Sequence, residues 1–112
     1  MSTQMNIEIT EKGQWHVASF EGYLDTTTAP DAETGLSKLL DDGVTNIIVD
    51  FSKLDYISSA GLRILFSAAK RIKNVSGKFR ICSLNETVED VFEMSGFNTI
   101  LSVFSDQAEA LK

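Results

Sequence analysis

The sequence predicts an α/β domain with a mixed β-sheet, an N-terminal hairpin and about four helices. Two features of the 112-residue chain support this fold class. In five short segments apolar residues alternate with polar ones or run almost without a break, which is typical of strands. Between the later segments, apolar residues recur at helical spacing. The predicted order is ββαβαβαβα, and strands that alternate with helices favour parallel pairing after the hairpin.

The first two strands form the predicted hairpin. Met5, Ile7 and Ile9 alternate with polar residues, as they do in a strand with one buried face. Residues 11–14 are predicted to form a turn, and the largely apolar residues 15–20 a second strand.

The first helix is predicted to begin after Thr28, a residue type that caps helices. Pro30 would lie in the first turn, and Gly43 would end the helix. The nearly continuous β-branched run 46–51 indicates a central strand that is covered on both faces. The polar residues 52–55 are expected to follow this strand as a loop.

The middle of the chain predicts an amphipathic helix that ends near Ser76 and Gly77. Its apolar residues at helical spacing are Leu62, Leu65, Phe66, Ala69 and Ile72. Residues 78–82 alternate as a strand, in which Cys82 is expected to be a core thiol.

The last elements are short. Asn85 is a candidate N-cap for a third helix, and Gly96 a candidate C-terminal stop. Phe66, Phe92 and Phe97 are expected in the core. A strand over residues 100–103 and a terminal helix over residues 105–111 complete the predicted fold.

Composition indicates one domain, residues 1–112, in the cytoplasm. A net charge of −6 argues against general binding to nucleic acid or to an anionic membrane surface. No apolar run approaches the roughly 20 residues that cross a bilayer. One cysteine, Cys82, and one histidine, His16, cannot supply a zinc set of Cys and His ligands, so we predict no metal and no cofactor.

The strongest functional signal lies in residues 49–65, where a buried strand leads through a short loop into a Ser-Ser-Ala-Gly turn and a helix. Functional groups of open α/β sheets usually lie beyond the carboxyl ends of the strands. One hypothesis is that Ser58 or Ser59 only caps the helix. The other is that one of them is phosphorylated, because a helix N-terminus stabilises phosphate. Both can hold at once.

Two other patterns in the sequence bear on function. A hydrolase triad of Ser59, His16 and Asp25 lacks the G-x-S-x-G motif, which disfavours an enzyme. Residues 63–80 contain six basic and no acidic residues, which is consistent with a solvated helix face or with a docking surface for an acidic partner.

The same segment resembles the STAS domain family, and within it the single-domain bacterial anti-sigma factor antagonists. Residues 22–25 resemble the family's Gly-Glu-Leu-Asp motif, residues 49–65 its phosphoserine turn, and residues 91–97 its third helix and glycine stop. The resemblance implies a regulatory protein without enzymatic activity. Unphosphorylated, it would bind an anti-sigma factor with an ATP-binding kinase fold and thereby free a sigma factor. Phosphorylation would end binding, and a PP2C-type phosphatase would restore it.

The resemblance also implies site residues. Ser59 matches the family's phosphoserine, while Ser58 and Tyr23 stand where many members have Asp and Glu. Leu24 and Tyr23 are expected to be exposed beside Asp25. The partner-binding residues are expected to be Tyr23, Asp25, Thr26, Ser58, Ser59, Gly61, Leu62 and Arg63. The alternative output is a STAS module of a transport system or of a stress-signalling complex.

Overall fold

The computed structural model describes residues 5–112, which form five strands and four helices in the predicted order ββαβαβαβα. The strands are β1 (Met5–Lys12), β2 (Trp15–Leu24), β3 (Asn46–Ile57), β4 (Lys78–Cys82) and β5 (Ser102–Phe104). The helices are α1 (Ala29–Asp41), α2 (Ser59–Asn74), α3 (Glu86–Ser95) and α4 (Gln107–Ala110), and a 3₁₀ turn covers Phe97–Thr99.

The five strands form one mixed sheet in the order β1-β2-β3-β4-β5. β1 and β2 are antiparallel, and every later neighbour is parallel. This confirms the predicted hairpin and the predicted parallel pairing. Because β2 to β5 all run in the same direction, their carboxyl ends all lie at the same edge of the sheet.

Each face of the sheet has its own core. The larger core joins β2 and β3 to α1, α2 and α3, and includes Phe20, Phe51 and Phe92. The smaller core lies on the opposite face, where Trp15 and Cys82 pack with α4. The prediction that Cys82 is a core thiol is confirmed, and burial raises its pKa to about 11.

β3 is longer than predicted. The polar residues 52–55 were expected to form a loop, but they continue the strand to Ile57. The reason is pairing with the end of β2, which runs to Leu24 through two register irregularities. Leu54 and Ile57 are buried, so this part of the strand also contributes to the core.

The region before β5 also differs from the prediction. Residues 100–103 were expected to form a strand, but the chain first makes the 3₁₀ turn after Gly96 and β5 starts at Ser102. Leu101 is buried, whereas Ile100 is exposed. Phe92 lies in the core as predicted, while Phe66 and Phe97 are half-buried and pack on each other at a centroid distance of 5.9 Å.

Candidate functional site

The candidate site lies where the carboxyl ends of β2 and β3 meet. Leu24 ends β2 and Ile57 ends β3, and the two are partners in the parallel register. The backbone amide of Ser58 donates a hydrogen bond of 2.9 Å to the carbonyl oxygen of Leu24. The turn that follows β2 and the start of α2 are therefore held side by side, at the edge where open α/β sheets present functional groups.

Ser59 is the first residue of α2, and it is exposed. Ser58 occupies the N-cap position with an extended backbone, but no side chain within residues 5–112 makes a capping hydrogen bond to α2. The hypothesis that Ser58 or Ser59 caps this helix through its side chain is therefore not borne out. The first-turn N–H groups remain available to an anionic acceptor next to Ser59.

The hydroxyl of Ser58 is unusual. Its Oγ is buried and has no hydrogen-bond partner among the described residues. The N-caps of the two following helices are conventional by comparison, since Asn85 and Asp106 accept backbone N–H bonds of 2.8 Å. Nothing in the sequence signals this difference, because Ser is as good a capping residue as Asn or Asp.

Gly61 and Leu62 lie under this surface. A Cβ atom on Gly61 would come within 2.7 Å of Leu24 Cγ and 2.9 Å of Ile57 Cγ1, so only glycine allows this approach between α2 and the strand ends. Leu62 is buried as well. The expectation that Leu24 is exposed is wrong, because Leu24 packs against Gly61 and is fully buried.

Asp25 follows β2 and organises the turn that leads into α1. Its Oδ1 accepts hydrogen bonds from the Thr27 hydroxyl at 2.7 Å, the Thr27 amide at 2.9 Å and the Thr28 amide at 3.2 Å. These hydrogen bonds lower the pKa of Asp25 from its ordinary value of 3.8, and the bond from the Thr27 hydroxyl has the largest effect. Asp25 therefore presents a carboxylate held in one orientation at neutral pH.

Thr28 takes part in the same turn. It occupies the N-cap position of α1, as predicted, but its side chain makes no capping bond to the helix. The hydroxyl instead donates to the carbonyl oxygen of Tyr23 at 2.7 Å and accepts from the amide of Asp25 at 2.9 Å. Thr28 thus fastens the turn around Asp25 to the end of β2.

An exposed aromatic pair borders the turn. Tyr23 and Tyr56 are register partners on β2 and β3, and their ring centroids are 6.2 Å apart. Both are among the exposed large side chains of the described residues. The exposure of Tyr23 was predicted. Tyr56 was missed, because only the register between the strands places it beside Tyr23.

Thr26 and Arg63 are exposed and line a shallow groove between the first turns of α1 and α2. Ala60, which follows Ser59, lines it too. The structure thus brings the predicted partner-binding residues to one edge, where Tyr23, Thr26, Ser59 and Arg63 are exposed, Asp25 and Ser58 are half-buried, and Gly61 and Leu62 are buried.

The geometry rules out the hydrolase triad. His16 lies near the start of β2 and Asp25 directly after its end, so the strand separates them by roughly 25 Å. Within residues 5–112, no three side chains of His, Cys, Asp or Glu gather closely enough to hold a metal ion. None of the described helices is long and apolar enough to cross a lipid bilayer.

The basic residues of the stretch 63–80 do not form one surface. Arg71 pairs with Asp41 at 2.9 Å. Arg80 lies over the rings of Trp15 and Phe104 and donates a hydrogen bond of 2.8 Å to the carbonyl oxygen of Ala110. Arg80 therefore has a structural role on the α4 face of the sheet.

A comparison with protein families matches residues 6–110 to the STAS domain. Among curated proteins, BtrV of Bordetella bronchiseptica, which is named as a candidate anti-sigma factor antagonist, is 36% identical over 84% of this chain and 81% of its own length.

Solved structures share the fold. An anti-sigma factor antagonist from Mycobacterium paratuberculosis superposes with a TM-score of 0.89 at 19% identity, over 96% of this chain and 92% of that one. The Bacillus cell fate determinant SpoIIAA in its phosphorylated form superposes with a TM-score of 0.71 at 20% identity, over 95% and 96% of the two chains.

Proposed function

The chain belongs to the STAS domain family, and on this basis we propose that it acts as an anti-sigma factor antagonist in a partner-switching pathway. Unphosphorylated, it binds an anti-sigma factor that has an ATP-binding kinase fold, and this binding frees the sigma factor. Phosphorylation of Ser59 by that kinase ends the binding. A PP2C-type phosphatase then restores the unmodified chain. The chain itself catalyses no reaction.

The observation that carries the proposal is the position of Ser59. Its side chain is exposed at the first position of α2, and no side chain of the described residues caps that helix. A kinase can therefore reach the hydroxyl without unfolding the domain. The helix dipole and the free N–H groups would then stabilise the phosphate that results.

The modification is a simple phosphoryl transfer. The Ser59 hydroxyl oxygen attacks the γ-phosphorus of ATP bound to the kinase, the bond to ADP breaks, and a base on the kinase accepts the hydroxyl proton. Within this scheme the chain supplies only an accessible nucleophile at a rigid position. Hydrolysis of the phosphoserine by the phosphatase returns the hydroxyl and releases inorganic phosphate.

Charge explains why the phosphate would end binding. A phosphoserine carries about −1.5 to −2 charges at neutral pH, on a chain whose net charge is already −6. Asp25 adds a carboxylate at the same edge, and its lowered pKa keeps it ionised. A new charge that is buried in an interface without a compensating cation is strongly unfavourable.

The shape of the edge supports a contact that surrounds Ser59. Tyr23, Thr26 and Arg63 are exposed around it and supply aromatic, polar and cationic groups. Tyrosine and arginine often contribute most to protein interfaces. Gly61 and Leu62 would act indirectly, because both are buried and hold α2 against the strand ends.

A pull-down with purified chain tests the proposal. Wild type and Ser59→Ala are expected to bind a kinase-fold anti-sigma factor of the source organism, whereas Ser59→Asp should bind at least about tenfold more weakly. Ser76→Asp is the matched control, because Ser76 is exposed just beyond the opposite end of α2. It should bind like wild type.

Mass spectrometry after incubation with the bound kinase and ATP should place one phosphate on Ser59. The proposal fails if no kinase-fold protein of the organism binds the unphosphorylated chain. It also fails if a kinase that binds leaves Ser59 unmodified.

A further inference from the structure

A second surface lies at the other end of α2. A groove of about 560 Å³ runs between the second half of α2 and the start of β5. Its walls combine polar and apolar groups, and the apolar side chains include Phe66 and Ile72 from α2, Phe79 from β4, and Leu101. Ser59 lies at the opposite end of α2, about 10 Å along the helix axis from Phe66 at the near end of the groove and about 22 Å from Asn74 at its far end.

The most exposed large apolar side chains of the described residues lie in or near this groove. Ile100 is 58% exposed and lines it, and Val75, also 58% exposed, follows the lining residue Asn74. Met94 is 89% exposed near the end of α3. α3 leads directly into the 3₁₀ turn, whose Phe97 packs on Phe66 in the groove wall. Clustered apolar exposure of this kind indicates an interaction surface.

The groove is basic. Lys70 and Lys73 line it, and neither forms an ion pair within residues 5–112. Lys70 also lies over the ring of Phe66, 5.6 Å from its centroid. An occupant that suits this groove carries a bulky apolar side chain flanked by carboxylates.

The exposed side of α3 has that composition. Asp90 and Glu93 are exposed beside Met94, and α3 contains no basic residue. Neither carboxylate forms an ion pair within the described part of the chain. The acidic, apolar end of α3 and the basic, apolar groove are therefore complementary in charge and in apolar character, and both flank the 3₁₀ turn.

We infer that this surface joins two copies of the chain, with Met94 of each copy entering the groove of the other. Because the groove and α3 belong to one continuous surface, reciprocal insertion about a two-fold axis forms a closed dimer. Asp90 and Glu93 of each copy then face Lys70 and Lys73 of the other. The site around Ser59 stays free in both copies, so dimer formation is independent of the proposed function.

Sedimentation equilibrium tests the inference on the full chain. The apparent mass should rise from 12.3 kDa toward twice that value as the concentration increases. Met94→Ser and Ile100→Ser should each weaken the dimer at least about tenfold, since both remove apolar contacts at its centre. Ile9→Ser, at another exposed isoleucine on β1, is the matched control and should leave the dimer unchanged. Circular dichroism verifies that each variant is folded.

A charge exchange tests the reciprocal geometry. A chain with Lys70→Glu and Lys73→Glu has two acidic surfaces, and a chain with Asp90→Lys and Glu93→Lys has two basic ones. Each alone should be monomeric, whereas an equimolar mixture should form a heterodimer, because each groove again meets an α3 of opposite charge.

Three outcomes would overturn the inference. The first is a wild type that stays monomeric up to about millimolar concentration, where even weak contacts are populated. The second is a dimer that Met94→Ser and Ile100→Ser leave intact. The third is a charge-exchange mixture that stays monomeric. Ser59→Asp separates this inference from the proposed function, since it should dimerise like wild type. Loss of the dimer in that variant would place the interface at Ser59 instead.

Discussion

The amide of Ser58 donates a hydrogen bond of 2.9 Å to the carbonyl oxygen of Leu24. This bond joins the residue after β3 to the last residue of β2, so two turns that are distant in the sequence become neighbours. One turn holds the carboxylate of Asp25 and the other presents Ser59. The two halves of the candidate site are thus held together by backbone hydrogen bonding at the strand ends.

Removal of the Ser58 hydroxyl tests its unusual environment. An unpaired buried hydroxyl costs about 1–3 kcal/mol, so Ser58→Ala should leave the free energy of unfolding unchanged or raise it by about 1 kcal/mol. Asn85→Ala is the control, because Asn85 caps α3 and should lower that free energy by about 1 kcal/mol or more. Urea unfolding measures both, and a clear loss of stability in Ser58→Ala would show that the hydroxyl has a partner.

Substitution of Gly61 tests the close approach of α2 to the strand ends. Gly61→Ala should lower the free energy of unfolding by about 1–3 kcal/mol, because the added methyl group would overlap Leu24 and Ile57. Gly35→Ala is a matched control inside α1, where the nearest atom to the new methyl is 3.4 Å away. That variant should be neutral or more stable by up to about 1 kcal/mol, since Ala favours helix. Equal stability of the two variants would contradict the close packing of Gly61 against Leu24 and Ile57.

The titration of Asp25 tests the turn around it. Because hydrogen bonds from Thr27 and Thr28 lower its pKa in the folded chain, the ionised form stabilises the fold at pH values above 3.8. This contribution is lost as the pH falls through the lowered folded-state pKa. An NMR titration of the Asp25 carboxyl carbon should therefore give a pKa below 3.8, and Thr27→Val should raise it. A pKa that Thr27→Val leaves unchanged would show that the Thr27 hydroxyl is not responsible.

A negative charge at Ser59 should leave the fold intact. Ser59→Asp places a carboxylate in the first turn of α2, where the helix dipole favours it by roughly 0.3–1 kcal/mol. The free energy of unfolding should therefore stay constant or rise slightly. Changes in the amide NMR spectrum should be confined to residues near 24–28 and 58–63. A spectrum that changes across the whole sheet would instead show that a negative charge at Ser59 alters the fold.

Much of the fold could be predicted from periodicity and helix signals. The β-branched run that begins at Asn46 lies in the central strand, Asn85 caps α3, and Gly96 ends it with a positive φ of 79°. These features are local, because each depends on the conformational preference of a few neighbouring residues. The resemblance carried by residues 49–65 likewise predicted the family.

The prediction errors arose where contacts between distant segments override the local conformational preference of the residues. The polar residues 52–55 extend β3 because the end of β2 pairs with them, and Leu24 is buried because Gly61 lets α2 approach it. The same register places Tyr56 beside Tyr23. Periodicity and residue type do not indicate which residues that are distant in the sequence come into contact in the fold.

Local residue types therefore predicted the order of the elements, whereas the resemblance to a known family predicted the family and singled out Ser59 as the candidate phosphorylation site. Tertiary packing alone decided that the Ser58 hydroxyl stays unpaired, that Leu24 is buried against Gly61, and that Met94 and the groove flank one turn. The physical reason is that hydrogen bonds and apolar contacts between distant segments compete with local preferences, and here they prevail at the edges of the sheet.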